Sequence, residues 1–229
     1  MKRAAIVTGG AGGIGAAVLM RLTRDGFMPI SWDLKAEPPV DATDPASLEA
    51  AAAMASEGGP IGALVVNAGI LGPVARIWEL DPAEIHRVLD VNLVSAFLTL
   101  RAVIPHMLRN PGPDRGRIVL MSSVQAKEGT ALSGPYAASK AGVIALTKVV
   151  AKELAPEGIL VNAITPTVVR TAMERSISDD RRADLLSRIP LGRFIEPEEV
   201  AAMVSWLCGP ECTFSTGAVF DLSGGRATS

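Results

Sequence analysis

The strongest constraint on the fold of this chain lies in its first fifteen residues. An apolar run, Ala4-Ala5-Ile6-Val7, gives way after Thr8 to Gly9-Gly10-Ala11-Gly12-Gly13-Ile14-Gly15. A short apolar run of this kind has the pattern of a strand buried on both faces. A helical pattern then runs from Gly13 to Arg24 and closes at Asp25-Gly26. Strand, glycine loop and helix in that order point to an α/β architecture. Lys2 and Arg3 ahead of an uncharged stretch, Ala4 to Met20, give the outline of a secretory leader. The glycines interrupt the apolar surface that a leader or a membrane span needs. The segment is therefore expected to stay in the fold, with no membrane contact and a cytoplasmic location.

Strand and helix patterns alternate to the end of the chain. Strands are expected at Met28–Trp32, Ala63–Val66, Arg117–Met121, Leu160–Ile164 and Ala218–Leu222. Helices are expected after Asp44-Pro45 and Asp81-Pro82, over Ser133–Leu154, and from Glu196-Pro197 to Leu207, with Asp and Pro in cap and first-turn positions. The alternation predicts a Rossmann-type doubly wound fold, a mainly seven-stranded parallel sheet with helices on both faces, in one domain over 1–229. The seventh strand is the weak point. Only six residues separate Asp33 from Val40, and two are proline. They span at most about 20–25 Å, enough for an extended return but not for a helix. A very short edge strand at Val40-Asp41 is the resulting expectation.

Composition removes several functional classes. A net charge of −2 argues against a nucleic-acid partner. Two cysteines, Cys208 and Cys212, make neither a disulfide framework nor a four-ligand metal site. Two histidines, His86 and His106, make no His-rich centre, and no metal is expected.

The glycine loop, set between a strand and a helix, has the features of a dinucleotide site. Glycines such as Gly9 and Gly13 let the backbone approach a pyrophosphate, and a helix N-terminus at Gly13-Ile14 favours negative charge. The loop alone is also compatible with a ligand-free turn. Asp33 sharpens the reading, because it ends the second strand twenty residues past Gly13. A carboxylate there accepts hydrogen bonds from ribose hydroxyls and repels a 2′-phosphate, which selects NAD. Lys35 stands close by and is able to pair with a phosphate, so NADP remains the alternative.

Tyr136 is the one tyrosine of the chain, and Lys140 follows it by four residues on a predicted helix. That spacing puts both on one helix face. A phenol titrates near 10, too high for acid–base work at neutral pH, and a neighbouring ammonium favours the phenolate. Ser123 ends a strand thirteen residues earlier, and its hydroxyl suits a carbonyl where negative charge develops. Asn92 lies mid-helix, where its propensity is poor. Partners within the protein, or a water leading towards Lys140, would satisfy it.

These motifs together resemble the short-chain dehydrogenase/reductase family along nearly the full chain. They comprise Thr8-Gly-x-x-x-Gly13-Ile14-Gly15, Asn67-Ala68-Gly69, Asn92, Ser123, Tyr136-x-x-x-Lys140, Val161-Asn162-Ala163, and Pro190-Leu191-Gly192-Arg193 with Glu196-Pro197-Glu198-Glu199. The resemblance implies that Tyr136 is the general acid–base and that Lys140 tunes it and binds the nicotinamide ribose. It implies that Ser123 positions the reacting oxygen and Asn92 holds a relay water. Asn67 and Gly69 would line the adenosine ribose side, Asp41 would meet the adenine amino group, and Val169 and Thr171 the carboxamide. It also implies a homotetramer, and the apolar helix Val143 to Leu154 suits an interface. Three departures stand out: Pro166-Thr167 where Pro-Gly is usual, the helix missing after Asp33, and Val66 rather than asparagine before Asn67. Threonine lacks glycine's freedom, so ordinary backbone is expected at Thr167.

Three loops, Ile70 to Pro73, Val124 to Gly134 and Thr167 to Pro190, are expected to form the substrate pocket. The middle one carries Gln125, Lys127, Glu128, Thr130 and Ser133, which suits a small polar molecule contacting Ser123, Gln125 and Tyr136. The charged, amphipathic stretch within 167–190 reads as a substrate lid. The expected activity is NAD(H)-dependent interconversion of a secondary alcohol and a ketone on a polyol, sugar or hydroxy acid. The alternatives are an NADPH-dependent carbonyl or 3-oxoacyl reductase, and a non-catalytic NAD(H)-binding sensor.

Overall fold

The computed structural model describes residues 2–171 and 179–227. Among the described residues six strands form a single sheet: β1 (Ala4–Thr8), β2 (Met28–Trp32), β3 (Ile61–Val66), β4 (Gly116–Met121), β5 (Ile159–Pro166) and β6 (Val219–Leu222). Their order is β2-β1-β3-β4-β5-β6, and every pairing is parallel. The chain winds outward from β1 in both directions, so the topological switch lies between β1 and β3. In open parallel sheets, ligands bind beyond the strand C-termini at that switch.

Side chains alternate between two cores, as the period of two along a strand requires. On one face, Ile6, Leu64, Ile118 and Leu120 pack with Leu48, Leu100, Val103 and Val150. These last come from α2 (Pro45–Glu57), α4 (Ser95–Met107) and α6 (Gly134–Leu154). On the other face, Val7, Val65 and Val119 pack with Val18, Leu22, Val200 and Val204, which belong to α1 (Gly13–Arg24) and to the helix Pro197–Cys208. Cys208 and Cys212 are free thiols buried in this second core.

The expected seventh strand at Val40-Asp41 does not form. The chain turns back on itself straight after β2, and Ala36 N and Val40 N both donate to the Asp33 carbonyl, at 3.1 and 3.0 Å. Val40 is 7% exposed and drops into the first core with Trp32 and Leu48. Asp41 Oδ1 accepts from Thr43 N and Oγ1 at 2.8 and 2.7 Å, and Asp44 then caps α2 through Ala46 N. No residue stays extended along the outer side of β2, which is therefore the sheet edge. Pro29 marks it, since proline within a sheet is confined to edges, first positions and bulges.

The long helix expected after Asp81 runs from Pro82 to Met107, as α3 (Pro82–Leu89), a π-helical turn (Asp90–Val94) and α4. It is the one helix among the described residues long and apolar enough to cross a membrane. Here that apolarity serves the core: Val88, Ala96, Leu100, Val103 and Met107 are buried. The same holds for much of the apolar surface of α6. Val143, Leu146, Val150 and Leu154 are buried within the chain, and Val149 is the large residue left exposed. Within the expected lid, 172–178 lie outside the described residues. A helix forms over Asp179–Ser187, and Leu185, Ile189 and Phe194 make a small separate cluster. Thr167 takes ordinary backbone, as expected, because Leu132 is the one non-glycine residue described at positive φ.

Candidate active site

Two loops leave the sheet at the switch point and are tied together there. Thr8 is fully buried, and its Oγ1 accepts from Asn67 N and Ala68 N at 2.9 and 3.0 Å. Asn67 Nδ2 donates to the carbonyls of Thr8 and Gly9 at 3.0 and 3.2 Å. Asn67 thus shapes the glycine loop from below. Gly9 sits at φ +66, where side chains are strained. Gly15 is required for a different reason: a Cβ there would lie 2.1 Å from the Gly9 carbonyl oxygen. The loop can close on the start of α1 only without that atom.

The N-terminus of α1 has no side-chain cap and no acidic residue in its first turn. Its amides are left for an external anion. Asp33 lies across the loop, with Oδ2 accepting from Ala11 N at 3.1 Å and Oδ1 from Lys35 N at 2.9 Å. Each carboxylate oxygen keeps further acceptor capacity. Thr171 stands over the loop, its Cγ2 3.5 Å from where a Cβ of Gly13 would be. Val169 is buried and forms a parallel bridge with Ile195, which fixes the approach of that segment. The glycine cradle, the uncapped helix and the acid at the end of β2 fit a dinucleotide. The dinucleotide would be held by Gly9, Gly13, Ile14 and Asp33, with Asn67 setting the shape of the loop.

Beyond the cradle, β4 ends at Met121 and Ser122-Ser123 face α6. Lys140 is 4% exposed, and its Nζ donates to the Met121 carbonyl at 2.9 Å. Ser122 Oγ donates to the Lys140 carbonyl at 2.7 Å, which docks α6 on the end of β4. Ser123 Oγ accepts from Gln125 N at 3.2 Å and lies close enough to the Tyr136 phenol to favour its ionised form. Lys140 Nζ lies 5.9 Å from the centroid of the Tyr136 ring. Ser123, Tyr136 and Lys140 are thereby brought together, as their spacing predicts.

The electrostatics depart from the sequence reading. Burial pushes the Lys140 ammonium down to about 8. Burial also raises the Tyr136 phenol, and the hydrogen bond from Ser123 pulls it back. Lys140 is not among the causes of the phenol's shift: desolvation governs both groups, and the ammonium gives its bond to the Met121 carbonyl.

Asn92 occupies the π-helical turn and is 2% exposed. Its Oδ1 accepts from Ile70 N at 2.8 Å, and its Nδ2 donates to Ile70 O and Ser139 Oγ at 2.9 and 3.1 Å. Both amide donors are spent on the protein. A one-residue expansion of a helix is a frequent feature of functional sites. Here it coincides with the contact between the long helix, the loop after β3 and α6. Ser139, not singled out by sequence, completes the link by donating to the Tyr136 carbonyl at 2.7 Å; its place inside Tyr136-x-x-x-Lys140 was the available signal. Gly69 lies beside Asn92 and Lys140. A Cβ there would be 3.1 Å from Asn92 Oδ1 and 3.3 Å from Lys140 Nζ. Asp41 stands apart, at the turn before α2, with Oδ1 committed to Thr43.

The chain matches the family described as Enoyl-(Acyl carrier protein) reductase over residues 11–227. It is 39% identical to a 2-dehydro-3-deoxy-L-rhamnonate dehydrogenase (NAD(+)) of Sphingomonas sp. strain SKA58, over 99% of this chain and 96% of that protein. It is 36% identical to a 3-oxoacyl-(acyl-carrier-protein) reductase of Thermotoga maritima, over 96% of both. Among solved structures, it superposes on a dehydrogenase/reductase from Sinorhizobium meliloti 1021 with a TM-score of 0.90, at 32% identity, covering 99% of this chain and 95% of the other.

Proposed function

The chain belongs to the short-chain dehydrogenase/reductase family, an oxidoreductase family, and from that premise we propose that it oxidises a secondary alcohol of a small polyhydroxylated acid or polyol with NAD⁺. The observation that carries this reading is the meeting of Ser123, Tyr136 and Lys140 beside a glycine cradle closed by Asp33. NAD⁺, when bound, supplies the hydride acceptor. The substrate hydroxyl is held by Ser123 Oγ and Tyr136 Oη, and Tyr136, reacting as the phenolate, takes its proton and becomes the neutral phenol as the carbonyl forms. Lys140, with a pKa of about 8, is an ammonium at neutral pH, and its charge favours that phenolate against the burial that disfavours it. Asn92 acts at one remove, by fixing Ile70 and Ser139. Asp33 disfavours a 2′-phosphate by charge.

Three buried oxygens support a polar substrate. Gln125 Oε1, Thr130 Oγ1 and Thr167 Oγ1 have no hydrogen-bond partner, and they lie on the loops after β4 and β5. Buried polar atoms are rarely left unpaired, and substrate hydroxyls would satisfy them. The sugar-acid dehydrogenase relative, whose name specifies NAD(+), points the same way. A reductive reading with NADPH has its own support in the 36% relative and in Lys35, exposed beside Asp33.

The test is initial-rate oxidation of 2-dehydro-3-deoxy-L-rhamnonate with NAD⁺ and with NADP⁺, beside acetoacetyl-CoA reduction by NADH and NADPH. We expect kcat/KM to favour NAD⁺ over NADP⁺ by at least about tenfold, the ratio that ~1.4 kcal/mol of discrimination gives. A preference for NADP⁺, or turnover of acetoacetyl-CoA alone, would replace this reading with the reductive one.

A further inference from the structure

Residues 125–128, expected as loop, form the short helix α5 (Gln125–Glu128), directly after Ser123-Val124. A helix of one turn has no stability of its own. Its position is set by what it is attached to, and so is Ser123, because Gln125 N donates to Ser123 Oγ.

The far end of α5 carries two adjacent and opposite charges, and each meets its complement in the segment that follows β5 in the sheet. Lys127 Nζ lies 3.2 Å from Asp221 Oδ1. Glu128 receives Arg226 in a fork, with Nε 3.0 Å from each carboxylate oxygen and Nη2 2.6 Å from Oε2. The Arg226 side chain is 2% exposed and that of Glu128 28%. Most ion pairs among the described residues join side chains that are a third or more exposed, and such surface pairs are of little consequence. This one has a buried guanidinium, is bidentate and joins residues almost a hundred positions apart.

The segment that presents Asp221 and Arg226 is itself held in shape. Ser223 donates to Asp221 Oδ2 from N at 3.0 Å and from Oγ at 2.5 Å, and its Oγ accepts from Ala227 N at 3.0 Å. Between them the chain turns at Gly224-Gly225, and the Gly224 carbonyl accepts from Leu191 N at 3.2 Å. Asp184, on the helix Asp179–Ser187, is held below the usual carboxylate range by Arg188 and, to a smaller degree, by Arg226.

We propose that Asp221–Ala227 is a positioning strap: Arg226 through Glu128, and Asp221 through Lys127, hold α5 so that the Ser123 hydroxyl faces the reacting oxygen of the substrate. Arg226 is thus a positioning residue, acting on chemistry it does not touch. The inference rests on the alcohol dehydrogenase reading above.

The experiment compares Glu128→Gln, Arg226→Gln and the charge-exchanged double variant Glu128→Arg/Arg226→Glu with wild type and Tyr136→Phe. The readouts are kcat and KM for 2-dehydro-3-deoxy-L-rhamnonate with NAD⁺, the Kd for NADH, and hydrogen–deuterium exchange of the peptide spanning 123–129. Each Gln variant should lower kcat by about tenfold or more, with KM and the NADH Kd within about twofold of wild type. The exchanged pair should recover most of the lost kcat, and exchange over 123–129 should rise in the Gln variants and fall back in the exchanged pair. Full kcat in both Gln variants, or no change in exchange over 123–129, would overturn the strap. So would losses matched by an equal loss of NADH affinity, since that is general destabilisation. Undiminished activity in Tyr136→Phe would strike the dehydrogenase reading instead, and the exchange data would still decide whether the strap holds α5.

Discussion

A buried ammonium with one carbonyl for a partner is costly, and Lys140 is such a group. Its pKa is lowered from 10.5 to about 8 by burial, so the folded state carries a penalty whenever the lysine is charged. The penalty is full below about pH 8 and fades as the pH rises towards the unfolded value. Lys140→Met should therefore raise the melting temperature of the cofactor-free protein at pH 7, by roughly 5 °C for a penalty of about 2 kcal/mol. The gain should shrink towards pH 10, while turnover falls at least about a hundredfold. Thermal unfolding of both proteins at the two pH values checks the sign, and a lower melting temperature at pH 7 would contradict it. At this scale much was legible. The spacing of Tyr136 and Lys140 is a property of any helix. The effect of one on the other was not legible, because the depth of burial and the Met121 carbonyl are supplied by distant strands.

At the scale of elements, the glycine loop and the strand–helix alternation were readable because their causes are local. Two features were not. The π-helical turn around Asn92 inserts one residue into a helix whose apolar pattern continues on both sides, so periodicity passes over it. The turn at 34–41 depends on both Ala36 and Val40 bonding the Asp33 carbonyl. The sequence suggested an extended return there because length alone permitted it. Asn92 is what makes the π-helical turn useful, since its amide satisfies Ile70 on both sides. Asn92→Ala leaves those two groups without their partner, while Ser139 keeps its bond to the Tyr136 carbonyl, and should cost about 2–4 kcal/mol at ~1–2 per group. Denaturant unfolding should show that loss with the slope unchanged, and kcat should fall as the loop after β3 shifts. Stability within about 0.5 kcal/mol of wild type would mean that water replaces the amide without penalty.

For the molecule as a whole, the sheet divides the work. The side β2-β1-β3 presents the glycine cradle, Asp33 and Asn67, and the side β4-β5-β6 carries Ser123 and the strap. The helix Pro82–Met107 and α6 close the join, where Asn92, Ser139 and Lys140 meet. Binding and chemistry are therefore separable by mutation. Tyr136→Phe removes one hydroxyl, leaves the cradle untouched and should bind NADH as wild type does. Saturating NADH should raise the melting temperatures of both proteins alike, through the ~2.7 kcal/mol of stability that a hundredfold excess over Kd gives. The most direct test is kcat for NAD⁺-dependent oxidation of 2-dehydro-3-deoxy-L-rhamnonate by Tyr136→Phe, beside that stabilisation by NADH. A loss of about a hundredfold or more with NADH stabilisation intact is the predicted result. Turnover at the wild-type rate in Tyr136→Phe would contradict the assignment of the chemistry to this tyrosine.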